Sequence, residues 1–338
     1  MNTPGKKRLL APGFVHLLAT ITLSTYSLVG AQQVTKVIPR VGFISSAGLP
    51  TSPSPLLDAF RLGLRDLGYV EGTNISIVDR YAEGRLDRMP VLVDELVQQK
   101  VSVIFAVNNV VIRAAKEATK TIPIVMISSV DPAVAGYVQS FARPGGNITG
   151  LTTVARDLSA KRVELLKQVL PKISRLGVLW DANGPGPAIA VKEYDAAARG
   201  FKLQLRSFKV KGPDPDFASA FEASKAARIE ALLVVGNPLM AQHTKEVFEL
   251  ATKSRLPSMT EEGRYVDGGG LISYGANLAD LYRRGAVYVV EILKGAKPAD
   301  LPVKLAERFE IFINLKTAQQ LGVSIPQHVL IQADKVIK

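Results

Sequence analysis

The sequence contains no cysteine at all. That excludes a disulfide framework, thiolate chemistry, and a lipid-acceptor cysteine behind an export signal. Histidine is nearly absent as well: beyond His16 only His243 and His328 remain, far apart and with no acidic cluster beside either. A metal centre needs several such ligands to converge, so neither a metal nor any other cofactor is expected. No Walker A string occurs, and Gly270-Leu271-Ile272-Ser273-Tyr274-Gly275 is one residue too long for a nucleophile elbow. Basic blocks are missing too. The formal charge is +12, yet lysine and arginine are scattered one or two at a time with no interleaved aromatics, the pattern of a solvated surface rather than of a nucleic-acid partner.

What is present begins with an export signal. Lys6, Lys7 and Arg8 precede an apolar run from Leu9 to Leu23, and Val29-Gly30-Ala31 offers a small-residue cleavage site. Residues 1–31 therefore read as a signal peptide cut after Ala31, leaving a periplasmic protein that is not a lipoprotein. A membrane anchor fits less well. Pro12, Gly13 and His16 interrupt a run already shorter than the ~20 apolar residues that a span requires. The leader holds three of the 42 basic residues, so 39 against 30 acidic leaves the mature chain near +9. Some 300 mature residues exceed one comfortable core and point to two domains.

The mature chain repeats one unit, a short β-rich apolar run followed by a segment of helical period. "VIPRVGFIS" precedes "PLLDAFRLGLRDLG", "VSVIFAV" precedes "NNVVIRAAKEATK", and "IPIVMIS" precedes "DPAVAGYVQSFA". Such alternation predicts parallel sheets covered on both faces by helices. In the first helix Leu57, Phe60, Leu64 and Leu67 share one face, and Gly68 ends it. Pro144-Gly145-Gly146 is the strongest interior breaker, and a second complete series follows it, so these residues are expected to form a hinge or crossover. The fold class is α/β, with two doubly wound parallel-sheet lobes and a ligand cleft between them.

In such folds the carboxyl ends of the strands face a crevice, where helix N-termini offer unpaired N–H groups. The residues there are Ser45 and Ser46, Asn108 and Asn109, Ser128, Ser129 and Asp131, Asp181 and Asn183, Asn237, and Ser273-Tyr274-Gly275. The Ser, Asn and Asp residues among them are also preferred helix caps, and Asp131-Pro132 is an ordinary cap followed by proline at the first helical position. The same chemistry at the strand ends of both lobes favours a ligand cleft. Glu261-Glu262 is not a catalytic pair, because adjacent helical residues point about 100° apart; it reads as a negative first turn.

The stretches "GYVEGTNISI", "IPIVMISSVDPAVAGYVQSFARPGGNITGL", "GGLISYGANLADLYRRGAVYVVEILKGAKPADLPV" and "INLKTAQQLGVSIPQHVLIQADKVI" resemble the type I periplasmic substrate-binding proteins of ABC transporters, in the group that includes tryptophan and tyrosine binders. The resemblance spans nearly the whole mature chain. It implies a first lobe over 38–148, joined by 276–298, and a second over 149–275, completed by 299–338. It also implies a monomer that hands a small, amino-acid-like ligand, such as an aromatic amino acid, to permease subunits. By that likeness Ser45 and Ser46 line the mouth, Asn108 and Asn109 meet the ligand, Asp131 takes a cationic group, and Asp181, Asn237 and Tyr274 contribute from the second lobe. Where those binders commonly carry threonine or serine after the third strand, this chain has two amides, which both donate and accept.

Rival readings are an α/β enzyme or a ligand sensor on the same scaffold, since fold does not fix function. An enzyme would have only Asp131, Asp181 and Glu261 as acid or base, and no catalytic residue is expected. A regulator would need a helix-turn-helix where the leader stands, and a sensor would need a membrane span beyond Lys338.

Overall fold

A run such as Val103–Val107, buried at its first four positions, is a strand that must be shielded on both faces. The computed structural model describes residues 38–46, 54–154, 158–183, 185–212 and 214–338; the expected leader lies outside them. The chain opens with β1 (Arg40–Ser45), α1 (Pro55–Asp66), β2 (Ser76–Tyr81), α2 (Met89–Gln98), β3 (Val103–Val107), α3 (Asn109–Ala118), β4 (Ile124–Ser128) and β5 (Ile148–Thr152). There follow α4 (Leu158–Val169), β6 (Arg175–Asp181), α5 (Pro185–Gly200), β7 (Gln204–Val210), α6 (Phe217–Ala226) and β8 (Ala231–Val234). Next come α7 (Pro238–Gln242), α8 (Thr244–Lys253), β9 (Ser258–Thr260), α9 (Gly263–Asp267), β10 (Ile272–Ala276) and α10 (Leu278–Leu293). The chain closes with β11 (Lys304–Leu305), β12 (Phe309–Asn314), α11 (Leu315–Leu321), α12 (Gln327–Ile331) and β13 (Lys335–Ile337).

The strands form two sheets, β11-β5-β4-β3-β1-β2 and β13-β12-β10-β9-β8-β6-β7. The first is parallel throughout. In the second, β12 pairs antiparallel with β10, and β13 follows the direction of β12. Connectivity explains the reversal. The chain leaves the second sheet at Ala276, visits the first through α10 and β11, and re-enters with Phe309 paired to Ala276. It comes back at the end where it left, so β12 must run the other way.

Side chains alternate between the two faces of each sheet. Val41 and Phe43 of β1 pack with α1 and α10, whereas Ile44 faces α2 and α3. Phe43, Phe60, Phe105 and Tyr282 form one aromatic cluster, with the Phe60 and Phe105 rings stacked at 4.4 Å. The second sheet is likewise filled on both sides, by α4 and α5 on one face and by α6 and α8 on the other.

Three expectations change. Pro144-Gly145-Gly146 is not a crossover: the Pro144 carbonyl accepts from Gln139 N, and the chain then adds β5 to the first sheet. That sheet extends through Thr152, and Lys304–Leu305 also pairs within it, so the expected lobe limits at 148/149 and 298/299 shift. Residues 132–137 form turns rather than a helix. Gly136 adopts φ 71°, and the amides of Tyr137 and Val138 fold back to the Pro132 carbonyl, which closes the coil after one turn.

Candidate functional site

The carboxyl ends of β1, β3, β4, β6, β8 and β9 all open onto one cleft of about 2250 Å³ between the two sheets. Ser45, Ser46, Asn108, Asn109, Ser128, Ser129 and Asp131 line it from the first lobe, and Asp181, Asn183 and Asn237 from the second.

On the first-lobe wall the polar groups hold one another. Asn108 Nδ2 donates to the buried Ser46 Oγ at 2.7 Å, while its Oδ1 caps α3 by accepting from Val111 N. Asn108 sits at φ 70°, ψ 161°, a backbone region that is essentially glycine-only and costs on the order of 1–3 kcal/mol. Strain of that size persists where the surroundings over-determine the conformation, and here it aims an amide at the cleft. Asn109 donates to Ser129 Oγ at 2.8 Å and accepts from Ser128 Oγ at 3.1 Å; Tyr137 OH donates to its carbonyl. Asp131 Oδ1 accepts from Ala133 N and Val134 N, so it caps a turn where a helix was expected. Its Oδ2 has no partner among the described residues.

The second-lobe wall is built in the same manner. Asp181 is buried, its Oδ1 accepting from Asn183 N and its Oδ2 from Asn237 Nδ2 at 2.8 Å. Asn237 Oδ1 in turn caps α7 through Met240 N. Asn183 itself is exposed at the rim.

Tyr274 does not join them. It lies inside β10 rather than at its end, and its ring packs on Phe309 and the second-lobe core. It stands two residues short of the carboxyl end of β10, within the length of the sheet, and Ala276, the last residue of the strand, lines the cleft in its place.

Two further residues, Arg162 and Glu261, line the second-lobe wall with the buried Tyr194 behind them; Arg162 and Tyr194 were missed in the sequence, and Glu261 was read only as a negative first turn. Arg162 of α4 is only 6% exposed. Its Nε donates to the Tyr274 carbonyl at 2.7 Å, and its Nη1 to Tyr194 OH at 3.2 Å and to Glu261 Oε1 at 3.3 Å. Tyr194 OH also donates to Glu261 Oε1. Glu261 is therefore no solvated first turn, as α9 starts only at Gly263. Burial pushes the Glu261 carboxyl above its ordinary value of 4.5 even with Arg162 beside it, and burial raises the Tyr194 hydroxyl too. Glu261 directly follows β9, so the rule of polar residues at strand ends could have found it. Arg162 carries no such signal, because an arginine on an amphipathic helix reads as exterior.

Among the described residues no group of three or more His, Asp or Glu is placed to hold a metal ion. His243 pairs with Glu246 instead. No described helix is long and apolar enough to cross a membrane.

The family of ABC transporter substrate binding proteins matches the chain over residues 52–337. A tyrosine-binding protein of Clostridioides difficile (strain R20291) is 28% identical over 279 residues, which span 80% of this chain and 78% of that one. An ABC domain in complex with L-Trp from Streptococcus pneumonia superimposes with a TM-score of 0.79 at 26% identity, covering 88% of this chain and 99% of that one. The ligand-free, open structure of a substrate binding protein with adhesive properties from Clostridium difficile gives 0.68 at 25% identity, covering 89% and 100%. With that match running through both sheets and the cleft between them, the chain belongs to the ABC transporter substrate binding proteins.

Proposed function

We propose that this protein captures a small amino-acid-like ligand between its two lobes and delivers it, chemically unchanged, to the permease of an ABC importer. Its family supplies the extracytoplasmic solute-capturing component of such importers. The observation that carries the reading is the convergence of strand-end polar groups from two separate sheets on one cleft. Most of those groups are already committed to caps and to each other, which suits a pre-organised binding wall better than a reaction. The tyrosine-binding relative and the complex with L-Trp support an amino acid as ligand class. Export follows from the charged and apolar leader, with cleavage after Ala31 and release into the periplasm.

The lobes are 38–154 with 278–306, and 158–276 with 307–338, joined by three passages of chain. Asp131, which lines the cleft, is the first-lobe contact to the ligand's cationic group: Oδ1 holds the turn, and no described residue bonds Oδ2. Asn would hold the turn about as well as Asp. The charge is what differs, and losing a desolvated charge contact costs about 2–5 kcal/mol, more than tenfold in affinity. Native mass spectrometry of protein purified without added ligand, followed by calorimetry with the compound found, tests this. Asp131→Asn should keep its melting temperature and lose more than tenfold in affinity; unchanged affinity would leave Asp131 a cap alone.

A further inference from the structure

Arg162 differs from the other cations of the cleft wall. Arg85, Arg113, Lys120 and Arg264 are exposed and Lys116 is half-buried, whereas Arg162 is 6% exposed and locked in place. Its planar fork carries five N–H donors. Nε is spent on the Tyr274 carbonyl, and Nη1 on Tyr194 and Glu261. No described residue accepts from Nη2, yet this atom is not among the polar atoms sealed in the interior without a partner. A buried guanidinium is therefore held from one side, with two donors, on the wall of a ligand cleft, from which no described residue accepts.

We propose that Arg162 is the second-lobe specificity residue of this protein, that its open Nη2 edge accepts a carboxylate of the ligand, and that Tyr194 and Glu261 are the positioning residues that hold the fork. The chemistry favours an oxyanion over a neutral carbonyl, because a full negative charge beside the guanidinium adds a Coulomb attraction that a carbonyl dipole lacks. Preorganisation adds to this. The side-chain entropy of the arginine is spent on folding through its three protein partners, so the ligand does not bear that cost. On the opposite wall Asp131 offers a carboxylate oxygen, Oδ2, that no described residue bonds. A cationic contact on one lobe and an anionic one on the other select a zwitterion, which is the charge pattern of an α-amino acid. This inference rests on the solute-binding reading and narrows its ligand class.

The test is a thermal-shift panel on the wild-type protein with the twenty L-amino acids, the amine formed by decarboxylating each, and carboxylate-free sugars and nucleosides. Calorimetry on the strongest hits follows. At least one amino acid should bind at least 100-fold more tightly than its matched amine. In Arg162→Lys, which keeps the charge and loses the fork, that discrimination should fall at least tenfold. A merely structural arginine would weaken both compounds alike and leave the ratio unchanged. Should Arg162→Lys not fold, Tyr194→Phe removes a single bond to the fork, and the ratio should drop several-fold. The proposal is overturned if an amine binds as well as its amino acid, or if the ratio survives in the variants. It is overturned as well if only carboxylate-free compounds bind, in which case solute binding stands; if nothing binds, both readings fall.

Discussion

Glu261 places a carboxyl group between two opposing influences, the burial that favours its neutral form and the Arg162 guanidinium that favours its ion. Burial is the larger, and Glu262 next to it adds repulsion, so the folded carboxyl titrates above 4.5 despite the arginine, Tyr194 OH and the Gly236 amide. A folded value above the unfolded one means that the native state holds the proton more tightly. The stabilising contribution is complete below the unfolded value and is lost as pH rises through the folded one. The isosteric, uncharged Glu261→Gln removes that dependence. The melting temperature of the wild type minus that of Glu261→Gln should therefore fall as pH rises above the ordinary carboxylate range. A difference that stayed flat or rose would mean that Arg162 outweighs burial. Legibility at this scale was mixed. Asn108, Asn109, Ser128 and Asp181 could be placed from their positions at strand ends, and the structure puts them on the cleft. Tyr274 could not, since the end of β10 lies two residues beyond it.

Elements depend on how closely their backbones approach. Gly63 of α1 faces α10 so tightly that a Cβ there would overlap the Arg283 carbonyl and stand 3.0 Å from Ala286 Cβ. Helix propensity alone favours alanine over glycine by about 1 kcal/mol. Overpacking against a backbone atom that cannot swing aside costs about 1–3 kcal/mol, and more where no rotamer relieves it. The clash should win. Gly63→Ala should lower stability by about 1–2 kcal/mol in denaturant titration. Gly200 at the end of α5 is the control: nothing lies within 4 Å of a Cβ there, and Gly200→Ala should be neutral or slightly stabilising. Equal effects of the two substitutions would refute the packing argument. Alternating apolar runs and helical periods made most of these elements readable in the chain. The segment after Asp131 was misread because its cap and its proline are real helix-start signals, while the left-handed Gly136 that ends the coil lies only a few residues on.

At the scale of the molecule, two lobes joined by three passages of chain would be free to close over a ligand that bridges them. Gln242 at the end of α7 reaches across the mouth to Gly84, where any side chain would collide with its amide. The chain also superimposes better on the L-Trp complex than on the ligand-free open relative, although both stand at nearly the same sequence identity. A ligand that touches both walls stabilises the closed arrangement by the difference between its affinities for the two states. Small-angle scattering should show a smaller radius of gyration with the amino acid that gives the largest thermal shift than without it. An unchanged radius would argue for a rigid cleft.

The sequence alone determined the α/β class, the two successive series, and the strand ends whose polar residues line the cleft, because periodicity and capping act over a few residues. Only the tertiary structure decided which strands share a sheet, that β5 and β11 belong to the first, and that β12 must reverse. It alone decided that Arg162 and Glu261, 99 residues apart, meet in a part-buried ion pair. Local pattern cannot carry these outcomes. Whether a charged side chain is solvated or enclosed depends on what the rest of the chain packs over it, and that cost is balanced only when a distant partner of opposite charge arrives.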